Sequence, residues 1–472
     1  MTSLFDAFAR KKISHDMDYG LARVLGPWDL TLMGVGAIIG TGIFVLTGHA
    51  AASQAGPAVV LSFVVSGIAC AFAALAYAEL AASVGGCGSA YGYSYAAFGE
   101  LMAWIIGWDL VLEYGVAVAA VANGWSGYVN KLLGLMNIGL PDALTKGPMV
   151  GGIMNLPAIL IILILMAMLL AGVKQSARLN AGIVFIKLLT IFTFIGVAVF
   201  HVHPDYWHPF APYGWFSRAA DGSTVGIFAG ASVVFFAYIG FDAVSTAVEE
   251  ARDPQKDVPF GILASLIFCT VIYIVVSGLL TGIVHYQELK GDAPVAEALT
   301  RIGVTWASYL INAGVIAGLT TVMLVLYYGL TRILLAMSAD GLLPPLLSAV
   351  SGKSHVPVHN TIICGIVIAV FAGFIPLGVL AELVNVGTLA AFVLVCIGVI
   401  VLRKRHPDMK RPFRAPGGMV TPVLGVISCL ALIGFLPLVT DLRFIIWLAV
   451  GMIIYFGYSL KHSKMSAPQA AE

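Results

Sequence analysis

The chain has 472 residues, 60% of them hydrophobic and only 10% charged, with a formal net charge of +1; its mean hydropathy is +0.97. Soluble domains carry roughly 25% charged residues, so this composition describes a polytopic membrane protein. A near-neutral balance argues against a nucleic-acid partner, and short loops leave no room for a soluble catalytic domain.

A polar, basic leader precedes the first apolar run, which continues at spanning length. No cleavable signal has that form, and residues 1–27 read as a cytosolic interfacial segment. Apolar runs of about 18 or more residues then give twelve candidate spans. They are Trp28 to His49, Pro57 to Ala82, Leu101 to Val129, Met154 to Gly172, Asn180 to Phe200, Thr224 to Val248, Phe260 to Val284, Trp306 to Ala336, Thr361 to Leu377, Leu383 to Leu402, Met419 to Val439 and Phe444 to Leu460. With a cytosolic N-terminus, eighteen of the 25 Lys and Arg fall on the cytosolic side, among them Lys174, Arg178, Lys353 and Arg403. Positive loops resist translocation, so both termini are expected in the cytosol of a cell whose plasma membrane holds the chain.

Between the spans, "HVHPDYWHPFAPYGWF" collects aromatics as an interfacial belt would, a better reading than a metal site for its three histidines. "KGDAPVAEALTRIG" predicts a short external helix with Asp292 as cap and Pro294 in the first turn. Six cysteines, Cys70, Cys87, Cys269, Cys364, Cys396 and Cys429, fall in spans or the cytosolic loop after the second span, which disfavours a disulfide framework. No cofactor or metal motif is found.

The first span contains "GVGAIIGTGIF", Gly34 to Phe44. Gly36 and Gly40 could serve close helix packing. The sharper reading is a discontinuous helix unwound at Gly40, Thr41 and Gly42, with the N–H groups of the second half aimed at a carboxylate. An unwound turn survives at membrane depth only where it faces protein, a cavity or a solute. A second interruption is expected at Ala237 to Asp242 in "VVFFAYIGFDAVSTAVEEARDP", where carbonyls around Phe236, Ala237 and Ile239 would suit a cation. Paired interruptions in the first and sixth spans point to a transporter's site between two five-span repeats. A zwitterion fits, its carboxylate toward Thr41 and Gly42 and its ammonium toward Ile38 and the sixth span.

Those motifs, with "YYGLTRILLAMSADGLLP" and "VNVGTLAAF", resemble the amino acid, polyamine and organocation superfamily, most closely its cationic amino acid transporter branch and bacterial relatives. The resemblance implies an all-α leucine-transporter fold of twelve spans, five and five inverted plus two. Its divisions would be a leader at 1–27, a first repeat at 28–201, an external loop at 202–223, a second repeat at 224–402, a basic cytosolic loop at 403–418, two spans within 419–460 and a tail at 461–472. It also implies that Ile38, Gly40, Thr41, Gly42, Phe236, Ala237 and Ile239 bind substrate through main-chain groups, with the Phe236 ring as an outer gate. Met323 would wall the side-chain subsite and disfavour long cationic side chains, although methionine is more often plain core.

Lys187, central in the fifth span, costs at least roughly 2.5 to 3.5 kcal/mol there and needs a partner or a task. Sodium-coupled relatives place an ion between the first, fifth and eighth spans, and some proton-coupled members resemble this chain in having a lysine instead. Lys187 is therefore the proton-coupling candidate, or else a permanently charged structural substitute for sodium. Asp109 and Glu113 share a face of the third span. Glu113 could face the substrate side chain, carry a proton, or bond a neighbouring helix. Asp242 reads as the cap of the second half of the sixth span. Glu79, Glu249, Glu250, Arg252 and Asp253 read as interface anchoring or inner-gate pairing.

The leading expectation is proton-coupled transport of L-amino acids by alternating access, with the bilayer, the proton and the amino acid as partners. The alternatives are a sodium-independent exchanger or facilitator, or a carrier of another small solute such as a polyamine; a small accessory subunit is not predictable from one chain. No filter-like segment favours a channel. The scattered His201, His203, His208, His355 and His359 lie outside the deep spans where an intramembrane enzyme would need them, and a substrate-sensing receptor stays open on motifs, lowered by the lack of a signalling domain.

Overall fold

The computed structural model describes residues 23–84, 90–172, 177–220, 222–351 and 356–464. Most of the leader, Cys87, Lys174, Lys353, His355, the tail beyond residue 464 and the side chains of Arg178 and Glu249 lie outside the described residues.

Almost everything described is helical. In chain order the α-helices are α1 (Pro27–Ile38), α2 (Thr47–Ala50), α3 (Val59–Val84), α4 (Ala90–Phe98), α5 (Glu100–Leu135), α6 (Leu156–Leu170), α7 (Ala177–Ala198) and α8 (Ile227–Val234). Then follow α9 (Pro254–Ile283), α10 (Pro294–Arg301), α11 (Thr305–Ala339), α12 (Val358–Phe374), α13 (Leu377–Arg405), α14 (Val420–Ile433), α15 (Leu438–Ile454) and α16 (Leu460–His462). Among the described residues eight helical stretches are long and apolar enough to cross a membrane, and α6, α12 and α14 are shorter apolar helices. The chain is a polytopic helical membrane protein.

Prolines open many of these helices. Pro27, Pro157, Pro254 and Pro294 lie in first turns, where a missing N–H leaves no bond unmade. Asn155 caps α6 by accepting from Ala158 N at 3.3 Å. Three local expectations differ from what forms. Ala90–Phe98 is helical where a loop was expected. Gly56, with φ of 63°, turns the chain between the first two spans within a single helical stretch. Ala293, not Asp292, is the N-cap of α10, because Ala293 N donates to Glu297 Oε1 at 3.3 Å and leaves Asp292 outside the helix.

The helices pack in a recurring scheme: α3 on α9, α5 on α11, α6 on α12, α7 on α11, and α13 on α5 and α3. Polar atoms then fix the packing. Ser62 and Ser66 of α3 donate to the Ile227 and Ala231 carbonyls at the start of α8, at 2.8 and 2.7 Å. Trp108 of α5 and Trp447 of α15 stack 4.4 Å apart, and each indole N–H donates to the other's carbonyl, at 2.9 and 3.1 Å. Burial of this kind stabilises through ring area plus two satisfied donors.

At one end of the bundle Glu79 of α3 is 2% exposed and accepts from Arg403 Nε of α13 at 2.8 Å. Arg403 Nη2 and the N–H of Ala415 complete the same carboxylate. Glu79→Ala would strand a buried guanidinium and should cost about 3–5 kcal/mol, whereas a Glu79→Met, Arg403→Leu double change should recover most of it. Thermal unfolding in detergent measures both; equal midpoints for wild type and Glu79→Ala would refute the assignment.

Candidate functional site

The site grows from two places where helices stop. Helix α1 ends at Ile38; Ile39 is extended at φ −73° and ψ 103°, and winding resumes with the π-type turn Gly42–Leu46. The first main-chain bond of the resumed segment is a long one, Phe44 N to Gly40 O at 3.5 Å. Helix α8 tightens into a 3-10 turn, Phe235–Tyr238; Ile239 is extended, Gly240 has φ of 111°, and a 3-10 segment follows over Phe241–Glu250. Only glycine takes that φ freely. Gly240, not Asp242, is the N-cap of the second half. Asp242 sits two residues on, its carboxylate turned toward the N–H groups of Gly240 and Ala243.

The two interruptions meet at main-chain level. A Cβ added to Gly42 would lie 2.2 Å from Ala237 Cα, and one added to Gly240 would lie 3.1 Å from the Ala37 carbonyl. No side chain at either glycine could be accommodated without moving the other helix.

Hydrocarbon offers the freed carbonyls no water, so side chains supply donors. Lys187 of α7, 2% exposed, donates to Gly36 O at 2.6 Å and Ile39 O at 3.1 Å. Its stem runs against α11 where Gly318 leaves space; a Cβ there would meet Lys187 Cγ at 3.0 Å. Tyr273 of α9 places its hydroxyl 2.9 Å from Ile38 O and 2.8 Å from Ala237 O. One hydroxyl carries one hydrogen, so it serves the two carbonyls in turn or shares unequally between them. The Phe236 carbonyl accepts from Ile239 N at 3.3 Å.

The remaining residues singled out from sequence fall as follows. Thr41 is 1% exposed and its hydroxyl has no partner; Gly124 of α5 lies against it, a Cβ there meeting Thr41 Cγ2 at 2.6 Å. Phe236, Ala237 and Ile239 are buried, and a Cβ added to Gly40 would make only ordinary contact with the Val322 side chain, at 3.8 Å. Met323, next in sequence, is fully buried in α11. Glu113, 3% exposed, lies beside Thr388 of α13 and near Asp242 and Asp109. At 1.5 Å per residue it is about 16 Å along α5 from Gly124. The structure therefore gathers the main-chain set and Lys187 around the breaks and sets Glu113 near Asp242, two residues past the second break. Asp109 Oδ1 packs against Gly387 and has no hydrogen-bond partner. Among the described residues no cluster of His, Cys, Asp or Glu could hold a metal ion.

Two contributors had no signal in the sequence. Tyr273 is a lone phenol in "FCTVIYIVVSG", and Asn385 in "VNVGTLAAF" is a fully buried amide whose nitrogen donates to Ser232 O at 2.7 Å and Val233 O at 3.3 Å.

Paired broken helices with bare main-chain groups in a common centre are the mark of a membrane carrier. The chain belongs to the amino acid permease family, whose defining pattern matches residues 25–458. It is 49% identical to the methylthioribose transporter of Bacillus subtilis (strain 168) over 99% of this chain and 100% of that one. It is 48% identical to the branched-chain amino acid permease BcaP of the same organism, over 97% of this chain and 98% of that protein. To the vacuolar cationic amino acid transporter 4 of Arabidopsis thaliana it is 37% identical, over 84% of this chain and 66% of that one. These relatives are transporters or permeases, and the chain is no enzyme.

Gly42→Ala should abolish the approach of the two breaks. Overpacking of this kind costs about 1–3 kcal/mol, so uptake by the reconstituted protein is expected to fall at least about fivefold with membrane insertion unchanged. Wild-type uptake by Gly42→Ala would show that the contact is dispensable.

Proposed function

We propose that the chain is a secondary active carrier of L-amino acids across the cytoplasmic membrane, coupled to protons and working by alternating access. The observation that carries this reading is the meeting of the two interruptions at Gly42 and Ala237. N–H groups at Thr41 and Gly42 begin a helical segment and suit a carboxylate. The carbonyls of Ile38 and Ala237 share one Tyr273 hydrogen, so one of them keeps a lone pair for an ammonium group. Phe236 closes the outer side and Met323 walls the side-chain end, favouring apolar over long cationic substrates.

The architecture in this reading is the leucine-transporter fold, with inverted repeats at 28–201 and 224–402, two further spans and both termini in the cytosol. The packing supports it. If each span is paired with the one five places later, α7 on α9 corresponds to α13 on α3, α7 on α11 to α13 on α5, and α1 on α7 to α8 on α13. A pseudo-twofold axis would produce such matched contacts.

Lys187 is the coupling residue in this scheme. Protonated, its ammonium holds the Gly36 and Ile39 carbonyls by charge-assisted bonds. A neutral amine holds them less firmly and releases the end of α1. Closure around a solute then differs in free energy between the two facing states, as net transport requires. The similarity to a methylthioribose transporter supports a second reading, a neutral thioether sugar as the solute, since hydroxyls could also bond the bare main-chain groups.

Vesicles holding the purified protein separate these readings with labelled L-leucine, L-arginine and methylthioribose, with and without an inward proton gradient. Leucine should concentrate above equilibrium only with the gradient; accumulation of methylthioribose alone, or uptake of leucine indifferent to the gradient, overturns the proposal. In Lys187→Ala the response to the gradient should disappear, and its full retention removes the coupling role. Met323→Ser should let arginine compete with leucine at least about fivefold better, a change of roughly 1 kcal/mol; unchanged competition counts against the subsite.

A further inference from the structure

Between α13 and α14 the chain runs "RKRHPDMKRPFRAPGG", residues 403–418, where six Lys or Arg stand against one acid, Asp408. Two of the six fold the segment. Arg411 donates to the carbonyls of Leu402, His406, Pro407 and Met409, at 2.8 to 3.3 Å, and so closes the end of α13. Arg403, 9% exposed, donates to the Gly418 and Ala415 carbonyls while it pairs with Glu79, and the Ala415 N–H donates to that same carboxylate at 2.8 Å. Both ends of the loop are thereby pinned to one buried carboxylate.

The other four cations, Lys404, Arg405, Lys410 and Arg414, are exposed, and among the described residues none of them is ion-paired. The dipole of α13 accounts for Lys404 and Arg405 in its last turn, but Lys410 and Arg414 stand beyond it. A topological signal needs positive charge alone and no fold. This loop is folded, and the fold fixes four unpaired cations at the ends of two apolar helices. Directly beside them Met419, Val420, Val423 and Leu424 open α14 with exposed side chains, Val420 at 61%. Fixed cations next to an apolar helix face match the two-part chemistry of a phospholipid, an anionic headgroup above an acyl chain.

We propose that the 403–418 loop and the start of α14 form a binding surface for an anionic phospholipid of the surrounding bilayer. Arg405 and Arg414 offer planar donor forks to phosphate oxygens, and Lys404 and Lys410 add point charges. The acyl chains lie along Val420, Val423 and Leu424. Glu79 and Arg411 hold the surface in shape without touching the lipid. Nothing in this assignment depends on which solute the broken helices carry.

The test uses the purified full chain in uncharged detergent, read by thermal unfolding and native mass spectrometry. The probes are phosphatidylglycerol, phosphatidylcholine of the same acyl chains, glycerol 3-phosphate and poly-L-glutamate. Phosphatidylglycerol should raise the unfolding midpoint, as a ligand of the folded state does, and stay bound in the spectrometer; the other three should do neither. Lys404→Gln, Arg405→Gln, Lys410→Gln and Arg414→Gln together should raise the phosphatidylglycerol concentration for half the shift at least about tenfold. Mass spectrometry counts bound lipid even if the midpoint of that variant falls. Arg218→Gln with Lys290→Gln, exposed cations of other loops, should leave the response unchanged. A wild type indifferent to phosphatidylglycerol, an equal response to phosphatidylcholine, a quadruple variant that responds as wild type, or a control variant that loses the response would each overturn the proposal. Stabilisation by glycerol 3-phosphate, or by poly-L-glutamate in place of the lipid, would give the surface to a free phosphate or to an acidic protein and overturn it equally.

Discussion

A peptide carbonyl inside hydrocarbon must find a donor, and an interrupted helix creates several that have none. In this protein Gly36, Ile38, Ile39 and Ala237 are supplied by two side chains, the Lys187 ammonium and the Tyr273 hydroxyl. The rest of the architecture answers to that need. Helix α7 is placed so that a lysine can reach α1, α11 carries Gly318 so that the lysine stem fits, and α9 brings its phenol between both breaks. Removing either donor would leave buried acceptors unpaired, at about 1–3 kcal/mol each.

Around this polar centre the frame is tied by bonds that cross between helices. The reciprocal indole pair joins α5 to α15, and Trp104 adds a bond to the Gly451 carbonyl at 3.0 Å. At the same end Tyr455 and Ser463 donate to the two oxygens of Glu100. The last helices therefore act as a brace on α5, while the broken segments pack by aromatic contacts such as Phe44 on Tyr128, Phe235 on Phe392 and Tyr238 on Tyr273.

Helix positions were legible because spans must be about 20 apolar residues long and are bounded by Pro, Gly and charge. The interruptions were legible because glycine stands where a continuous helix has no use for it; the chain unwinds at Ile39 and Gly40, while Thr41 and Gly42, expected to be unwound too, are already helical, and at Ile239 and Gly240. Lys187 announced itself by the cost of a central charge. Tyr273 and Asn385 did not, since a phenol or an amide in an apolar run is unremarkable until its distant partners are known. Glu113 stood out by the cost of a central carboxylate, but its spacing from Asp109 could not choose among a substrate-facing, a proton-carrying and a helix-bonding acid; its neighbours Thr388, Asp242 and Asp109 come from the fold.

The two interruptions touch through main-chain atoms, with glycine on one side of each contact. If the proposed site grips its solute through these groups, recognition is indifferent to most side-chain exchanges, because every residue brings the same amide. Diversification of cargo would then fall to the surrounding walls, free to change while the grip itself stays constant. A family so constructed can spread across chemically distinct solutes at little structural risk, consistent with two relatives of nearly equal similarity that bear the names of a sugar thioether and of branched-chain amino acids.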